Sequence, residues 1–233
     1  MKRIFIYLLS TCLLSMMSCL DIEEEITINK DGSGMYEVRM DMTEAVKMIM
    51  AMAPDSVKEE GMTEDDILQA MADSQGATGE MQAAIDALNE KDGISNASQS
   101  LEGGVFTMSY NFRDFTTLTS ALKDNGEGGA IDNPFGMTQP VFSGKKGLFS
   151  RSQSSEEPAE QDEEMAQAME MMEMMMGDAT YTTIYNFPGK IKKSTNKEAS
   201  YSNGNKTITV KAKFLDLLDD PSILDNTIKY KKK

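Results

Sequence analysis

Between residues 22 and 42 the apolar positions fall on every second residue. Ile22, Ile26 and Ile28 precede Asp31-Gly32-Ser33-Gly34, and Tyr36, Val38, Met40 and Met42 follow it. Period two on both sides of a glycine-bearing turn predicts a β-hairpin with one apolar face. Glu25, Thr27, Glu37 and Arg39 occupy the other face, so one side of the sheet is expected to be wet.

From residue 43 to 90 the period becomes helical. Thr43 is placed to cap a helix carrying Val46, Ile49, Met50 and Ala53, which stops near Pro54. Thr63 to Asp66 reads as a capping box with Asp in place of Glu, ahead of Ile67, Leu68 and Met71. A third helix carries Met81, Ile85 and Leu88 and ends near Asp92-Gly93. Strands return over 94–113, where Leu101-Glu102-Gly103-Gly104 marks a turn and Phe106, Met108, Tyr110 and Phe112 alternate. Asp114 is a cap candidate for a short helix through Leu118 and Leu122, and residues 124–136 read as loop. A small hairpin is expected around Ser143-Gly144-Lys145-Lys146-Gly147. Further alternation runs through Tyr181 to Phe187 and Ile208 to Phe214, the latter after an Asn203-Gly204-Asn205 turn. Residues Ile223 to Tyr230 are expected to add an edge strand.

This order, without βαβ alternation, predicts an α+β fold: an antiparallel β-sheet with helices packed on one face. Residues 19–149 supply its N-terminal part, including a helical insertion at 43–90. Residues 150–164 are Ser, Gln, Glu and Pro-rich and are expected to be a disordered linker. A Met-rich helix at 165–177 follows, and residues 178–233 complete the same domain with antiparallel strands.

The first residues change the picture from fold to location. Lys2 and Arg3, an apolar run from Ile4 to Leu14, and Ser15-Met16-Met17-Ser18 before Cys19 have the layout of a signal peptide over residues 1–18. The apolar run is shorter than the ~20 residues that span a bilayer. A small residue directly before cysteine resembles the bacterial lipobox, which makes Cys19 the lipidation site and tethers the protein to a membrane through acyl chains such as palmitate. An ordinary cleaved signal and an uncleaved anchor are the competing readings. Leu20 after the cysteine resembles the pattern of lipoproteins sorted to the outer membrane of the cell envelope. The acids Asp21, Glu23, Glu24 and Glu25 resemble surface-export signals, and also suit the exposed face of a strand.

Composition then removes options. The formal net charge is −15, which opposes nucleic acid as a partner. Basic residues gather late in the chain, from Lys190 to Lys233, so a local basic face is compatible with an acidic whole. Histidine is absent, which removes the commonest general base and both common nucleophile pairings. No catalytic residues stand out, and no enzyme is expected. Loss of Cys12 with the signal and acylation of Cys19 leave no internal disulfide. Met169, Met171, Met172, Met174, Met175 and Met176 could hold Cu(I) through thioethers. With 21 methionines in the chain, an adaptable apolar helix is the preferred reading, and no cofactor is expected.

Cys19-Leu20-Asp21 leading to Ile26-Thr27-Ile28-Asn29-Lys30-Asp31-Gly32-Ser33-Gly34 resembles the start of the LppM-type domain of bacterial lipoproteins. Tyr185-Asn186-Phe187-Pro188-Gly189-Lys190-Ile191 and Ser202-Asn203-Gly204-Asn205-Lys206-Thr207-Ile208-Thr209-Val210 resemble its end, where a Phe-Pro-Gly strand precedes a hairpin. The aromatic usual after that last turn is missing, with Val210 nearby, and the helices and methionine segment read as insertions. The resemblance implies a membrane-tethered, non-enzymatic domain that touches lipid or glycolipid. The resulting expectation is a lipid-anchored envelope lipoprotein that binds or scaffolds, with an envelope protein or an apolar ligand as partner, and a Cu(I)-handling protein as the alternative.

Overall fold

The alternation at the start of the chain closes into the antiparallel pair β1 (Asp21–Ile28) and β2 (Gly34–Asp41), with Ile22 opposite Met40 and Ile26 opposite Tyr36. Its turn is held by Asp31, whose carboxylate accepts from the Ser33 amide at 3.0 Å, while Gly32 takes the positive φ of 101° that a side chain would resist. The computed structural model describes residues 20–52, 63, 66–68, 77–126, 139–145, 147–153 and 177–231.

Helix α1 (Thr43–Met52) follows β2. Its cap is Asp41 rather than Thr43: the Asp41 carboxylate accepts from the Thr43 amide at 3.0 Å, and the first helical bond runs from Val46 N to Met42 O. The capping box at Thr63 and Asp66 is reciprocal, with Thr63 N donating to Asp66 at 2.7 Å and Asp66 N to the Thr63 hydroxyl at 3.2 Å. Helix α2 (Ala77–Glu90) is tied to β3 (Ile94–Glu102) by the Asn89 amide, which donates to Ala97 O at 3.0 Å and accepts from Ala97 N at 2.8 Å. This clamp sits where β3 bulges between Ser95 and Ser98. After β4 (Val105–Phe112), Asp114 caps α3 (Phe115–Gly126) by accepting from Thr117 N at 2.8 Å.

The remaining elements are β5 (Pro140–Lys145), β6 (Leu148–Gln153), β7 (Thr180–Asn186), β8 (Ile191–Ser194), β9 (Ser200–Ser202), β10 (Thr207–Lys213), α4 (Phe214–Asp219), a 3-10 turn (Pro221–Leu224) and β11 (Asn226–Tyr230). The fold class is α+β, as the pattern predicts, with three differences in architecture. There are two sheets, ordered β3-β4-β2-β1-β7-β10-β9 and β5-β6-β11-β8. The pair β1 and β7 is parallel, joining the two ends of the chain at the centre of the larger sheet. Strand β11 is interior, between β6 and β8, rather than an edge. Strand β6 also extends through Gln153, so residues 150–153 of the expected disordered linker are ordered sheet.

The face of the large sheet that carries Ile26, Tyr110 and Tyr185 is covered by α2, α3 and the small sheet. Ile26, Tyr110 and Tyr185 from the large sheet meet Leu88, Leu118, Phe142, Phe149 and Ile228 in one buried cluster. A second cluster at the other end joins Leu20, Ile22, Tyr181 and Val210 to Phe214, Leu217 and Leu224. The Phe-Pro-Gly run has a steric basis. A Cβ on Gly189 would overlap the backbone carbonyl of Lys231, whose amide bonds Lys190 O at 2.8 Å, while the Phe187 ring lies 4.6 Å from that of Tyr230. Among the described residues no helix is long and apolar enough to cross a membrane.

Candidate functional site

The inner face of β1 carries a charge. Glu24 lies in phase with Ile22, Ile26 and Ile28, in a cross-sheet row Met108–Val38–Glu24–Thr183–Val210, and is 1% exposed. Its place is between the two apolar clusters. From the facing small sheet, β6 sends in Phe149 and, two residues on, Arg151, which is 4% exposed. Arg151 Nη2 lies 3.7 Å from Glu24 Oε2, and the Tyr181 hydroxyl donates to the same oxygen at 2.6 Å. An ion pair thus bridges the two sheets across the interior.

The pair is incompletely satisfied. Glu24 Oε1, Arg151 Nε and Nη1, and the Tyr110 hydroxyl are buried with no hydrogen-bond partner among the described residues. Such groups are rare in native interiors, since each forgoes its bonds to water. Glu24 and Arg151 also line a cavity of about 80 Å³, with Tyr36, Leu122, Gln139, Pro140, Gln153, Tyr181, Pro221 and Leu224. The lining is apolar on the helix and 3-10 turn sides, and polar on the sheet side. A few heavy atoms of a hydrogen-bonding head group would fill it; a whole drug-sized ligand needs roughly 300 Å³ or more. Asn226, opposite Arg151 on β11, is buried and already accepts from the Ser194 hydroxyl at 2.7 Å. Its role is to hold the strand beside the pair.

Four tyrosines surround the carboxyl. Burial, and then the charge of Glu24, holds the phenols of Tyr36 and Tyr181 well above the usual phenol range, and that of Tyr110 above it for the same two reasons. Tyr185 is raised too, by burial first and against the nearby Arg151. Held neutral, the Tyr181 hydroxyl is a hydrogen-bond donor to Glu24. A raised phenol pKa stabilises the fold fully below the unfolded value near 10 and loses that contribution as pH climbs towards the folded value. Alkaline unfolding should therefore begin once pH passes about 10. Phenolate absorbance of the buried tyrosines should appear together with loss of far-ultraviolet dichroism. Ionisation of all the tyrosines before any loss of structure would contradict the buried cluster.

A second, more open groove of about 300 Å³ lies between Lys30, Phe115, Phe142, Lys145 and Tyr230, at the end of the sheets away from Leu20. Of the sites expected from sequence, Cys19 lies outside the described residues, as do Met169, Met171, Met172, Met174, Met175 and Met176. Glu24 is present in the acidic run of the sequence but has a different role from Asp21, Glu23 and Glu25. Its signal is phase, an acid at an even position of an apolar alternation. Arg151 was hidden because it lies within the stretch assigned to the linker, although it alternates with Phe149.

No family model matches the chain, and no curated protein is detectably similar to it. Among solved structures it is similar to the NMR structure of the folded domain of LppM from Mycobacterium tuberculosis, at 10% identity and a TM-score of 0.40, covering 91% of this chain and 90% of that one. The likeness is a weak resemblance at the level of the fold.

Proposed function

We propose that this chain is a cell-envelope lipoprotein, held on a membrane by acyl chains on Cys19, whose domain binds rather than catalyses. The observation that carries the reading is how close the packed domain comes to the cysteine. Leu20 is 7% exposed, and its carbonyl accepts from Thr180 N at 3.1 Å, so the residue next to the lipobox-like cysteine is packed into the domain. The segment before Cys19 has the charge and length of a cleaved signal, and no spacer separates the cysteine from β1. Leu20 after the cysteine favours the outer membrane. The binding half of the reading rests on the interlayer cavity, where open donors of Arg151 and an open acceptor of Glu24 suit the polar head of a small amphiphile, with Leu122, Pro140, Pro221 and Leu224 beside it. Phenols held protonated, and the absence of histidine, leave no activated nucleophile in that cluster.

The test is the intact mass of the protein isolated from membranes, beside a Cys19→Ala variant. A diacyl or triacyl mass that begins at Cys19 and disappears in the variant is the expected result. A chain that starts beyond Cys19 without lipid, or one that keeps residues 1–18, would overturn the anchor.

A further inference from the structure

The small sheet differs in charge from the rest of the molecule. The chain has 38 acidic residues, yet strands Pro140–Lys145, Leu148–Gln153, Ile191–Ser194 and Asn226–Tyr230 contain no Asp or Glu. The register aligns their basic residues. Lys145 pairs with Leu148, Leu148 with Lys229, and Lys229 with Lys193, giving one row across all four strands on the face turned away from the core. All four side chains in the row are exposed. Lys229 and Lys193 are direct cross-strand neighbours, and like charges in that position are unfavourable for the sheet. No acid within the sheet relieves them.

The same face carries apolar side chains. Leu148 is 36% exposed and Val141 is 39% exposed. At one end of the row Lys145 also borders the open groove of about 300 Å³, whose apolar floor is Phe115 and Phe142. Asp31, bonded to Ser33, and Asp114, which caps α3, line the far side of this groove, off the row itself. A bare polyanion would use the lysines and leave Leu148 and the groove unmatched. An acidic polypeptide bearing apolar side chains would use both.

We infer that the outer face of the small sheet, along Lys193–Lys229–Leu148–Lys145 and into the adjoining groove, docks an acidic polypeptide segment with interspersed apolar residues. The position of the row favours a partner reaching in from elsewhere over the anchoring bilayer. Arg151 lies over Glu24 and the Phe149 ring is 4.9 Å from that of Tyr185, so β6 runs towards Leu148 in the direction leading away from Leu20. This last step rests on the anchor proposed above; the charge argument does not.

The experiment is fluorescence anisotropy with the full chain in neutral detergent micelles. The probe is a labelled synthetic peptide of glutamates with leucine at every third position. Polyphosphate and phosphatidylglycerol vesicles serve as competitors, and an all-glutamate peptide as a second probe. Saturable binding that weakens with salt is expected, falling about tenfold or more in a Lys145→Glu, Lys193→Glu, Lys229→Glu variant. Leu148→Ser should weaken it several-fold. The single Lys229→Glu change should raise the melting temperature, because it turns a like-charge pair into an opposite one, and so separates lost binding from lost folding. No complex with the glutamate–leucine peptide, or binding unchanged by charge reversal, would overturn the proposal. Equal binding of the all-glutamate peptide, or full displacement by polyphosphate or vesicles at matched charge, would overturn the stated ligand class. Acylation does not enter the assay, so a missing acyl mass and a missing peptide complex are separate failures.

Discussion

Replacing Arg151 with methionine should lower the free energy of unfolding by about 3–5 kcal/mol, because it leaves the Glu24 carboxyl buried between two sheets without its cation. Restoring volume does not restore charge balance, so the loss should persist although methionine fills much the same space. The double variant Glu24→Gln with Arg151→Met is the informative partner. The glutamine amide would keep an oxygen for the Tyr181 hydroxyl, which now donates to Glu24 at 2.6 Å, and would remove the charge that Arg151 offsets. The native pair is a poor one energetically: its separation is 3.7 Å, and Glu24 Oε1 and two guanidinium nitrogens have no partner among the described residues. Desolvation of both ions is then weakly repaid, and an uncharged pair of similar volume should recover most or all of the loss. Urea unfolding at constant m-value would measure this. A cost below about 1 kcal/mol for Arg151→Met would mean that Glu24 is not held as the geometry indicates.

A pair that contributes little net stability has a reason to persist if its open atoms are used. Glu24 and Arg151 join the two sheets with a charged pair, between the clusters around Phe149 and around Phe214. The cavity beside them is lined by both residues of the pair. Stability measured with and without a candidate amphiphile would show the link, since a ligand that binds only the folded state raises stability by mass action.

How far the sequence reveals this arrangement depends on the range of the interaction. Local signals were legible. The Asp31-Gly32 turn, the Thr63–Asp66 box, the Asp114 cap and the Asn203-Gly204-Asn205 turn, where all three residues take positive φ, are each written within a few residues. Thr43 and Asp41 show the limit of that legibility: both are good caps two residues apart, and the strand's end decided between them. Pairing of β1 with β7 joins segments more than a hundred and fifty residues apart and leaves no local trace. The split into two sheets is equally silent, since an alternating strand does not say which sheet it joins. Arg151 was lost to composition. Ser150, Ser152 and Gln153 look like the linker that follows, and a four-residue extension of β6 becomes visible only through its partners β5 and β11. Glu24 was legible in principle, because an acid in phase with three isoleucines is either exposed by a register break or buried with a partner.

Removing the ring of Phe149 should be the other large loss. The side chain is fully buried, at 0% exposure, and four aromatic rings surround it. Phe115 lies at 5.4 Å, Phe142 at 5.9 Å, Tyr185 at 4.9 Å and Phe187 at 5.7 Å between centroids. These neighbours come from α3, β5, β7 and the segment after β7, so one side chain joins both sheets and a helix. Phe149→Ala removes the transfer energy of the ring and leaves a cavity that rigid aromatic neighbours cannot close, costing about 3–5 kcal/mol. In a domain of this size that corresponds to a fall in melting temperature of roughly 10 °C. Val141→Ala on the outer face of the same small sheet is the control, and should change stability by no more than about 0.5 kcal/mol. Because Phe149 and Arg151 share the inner face of β6, the alanine variant should also loosen the guanidinium and raise exchange of the β6 amides more than those of β3 or β4. Equal destabilisation by Val141→Ala, or protection in β6 unchanged in Phe149→Ala, would show that the small sheet is not held to the large one through this ring.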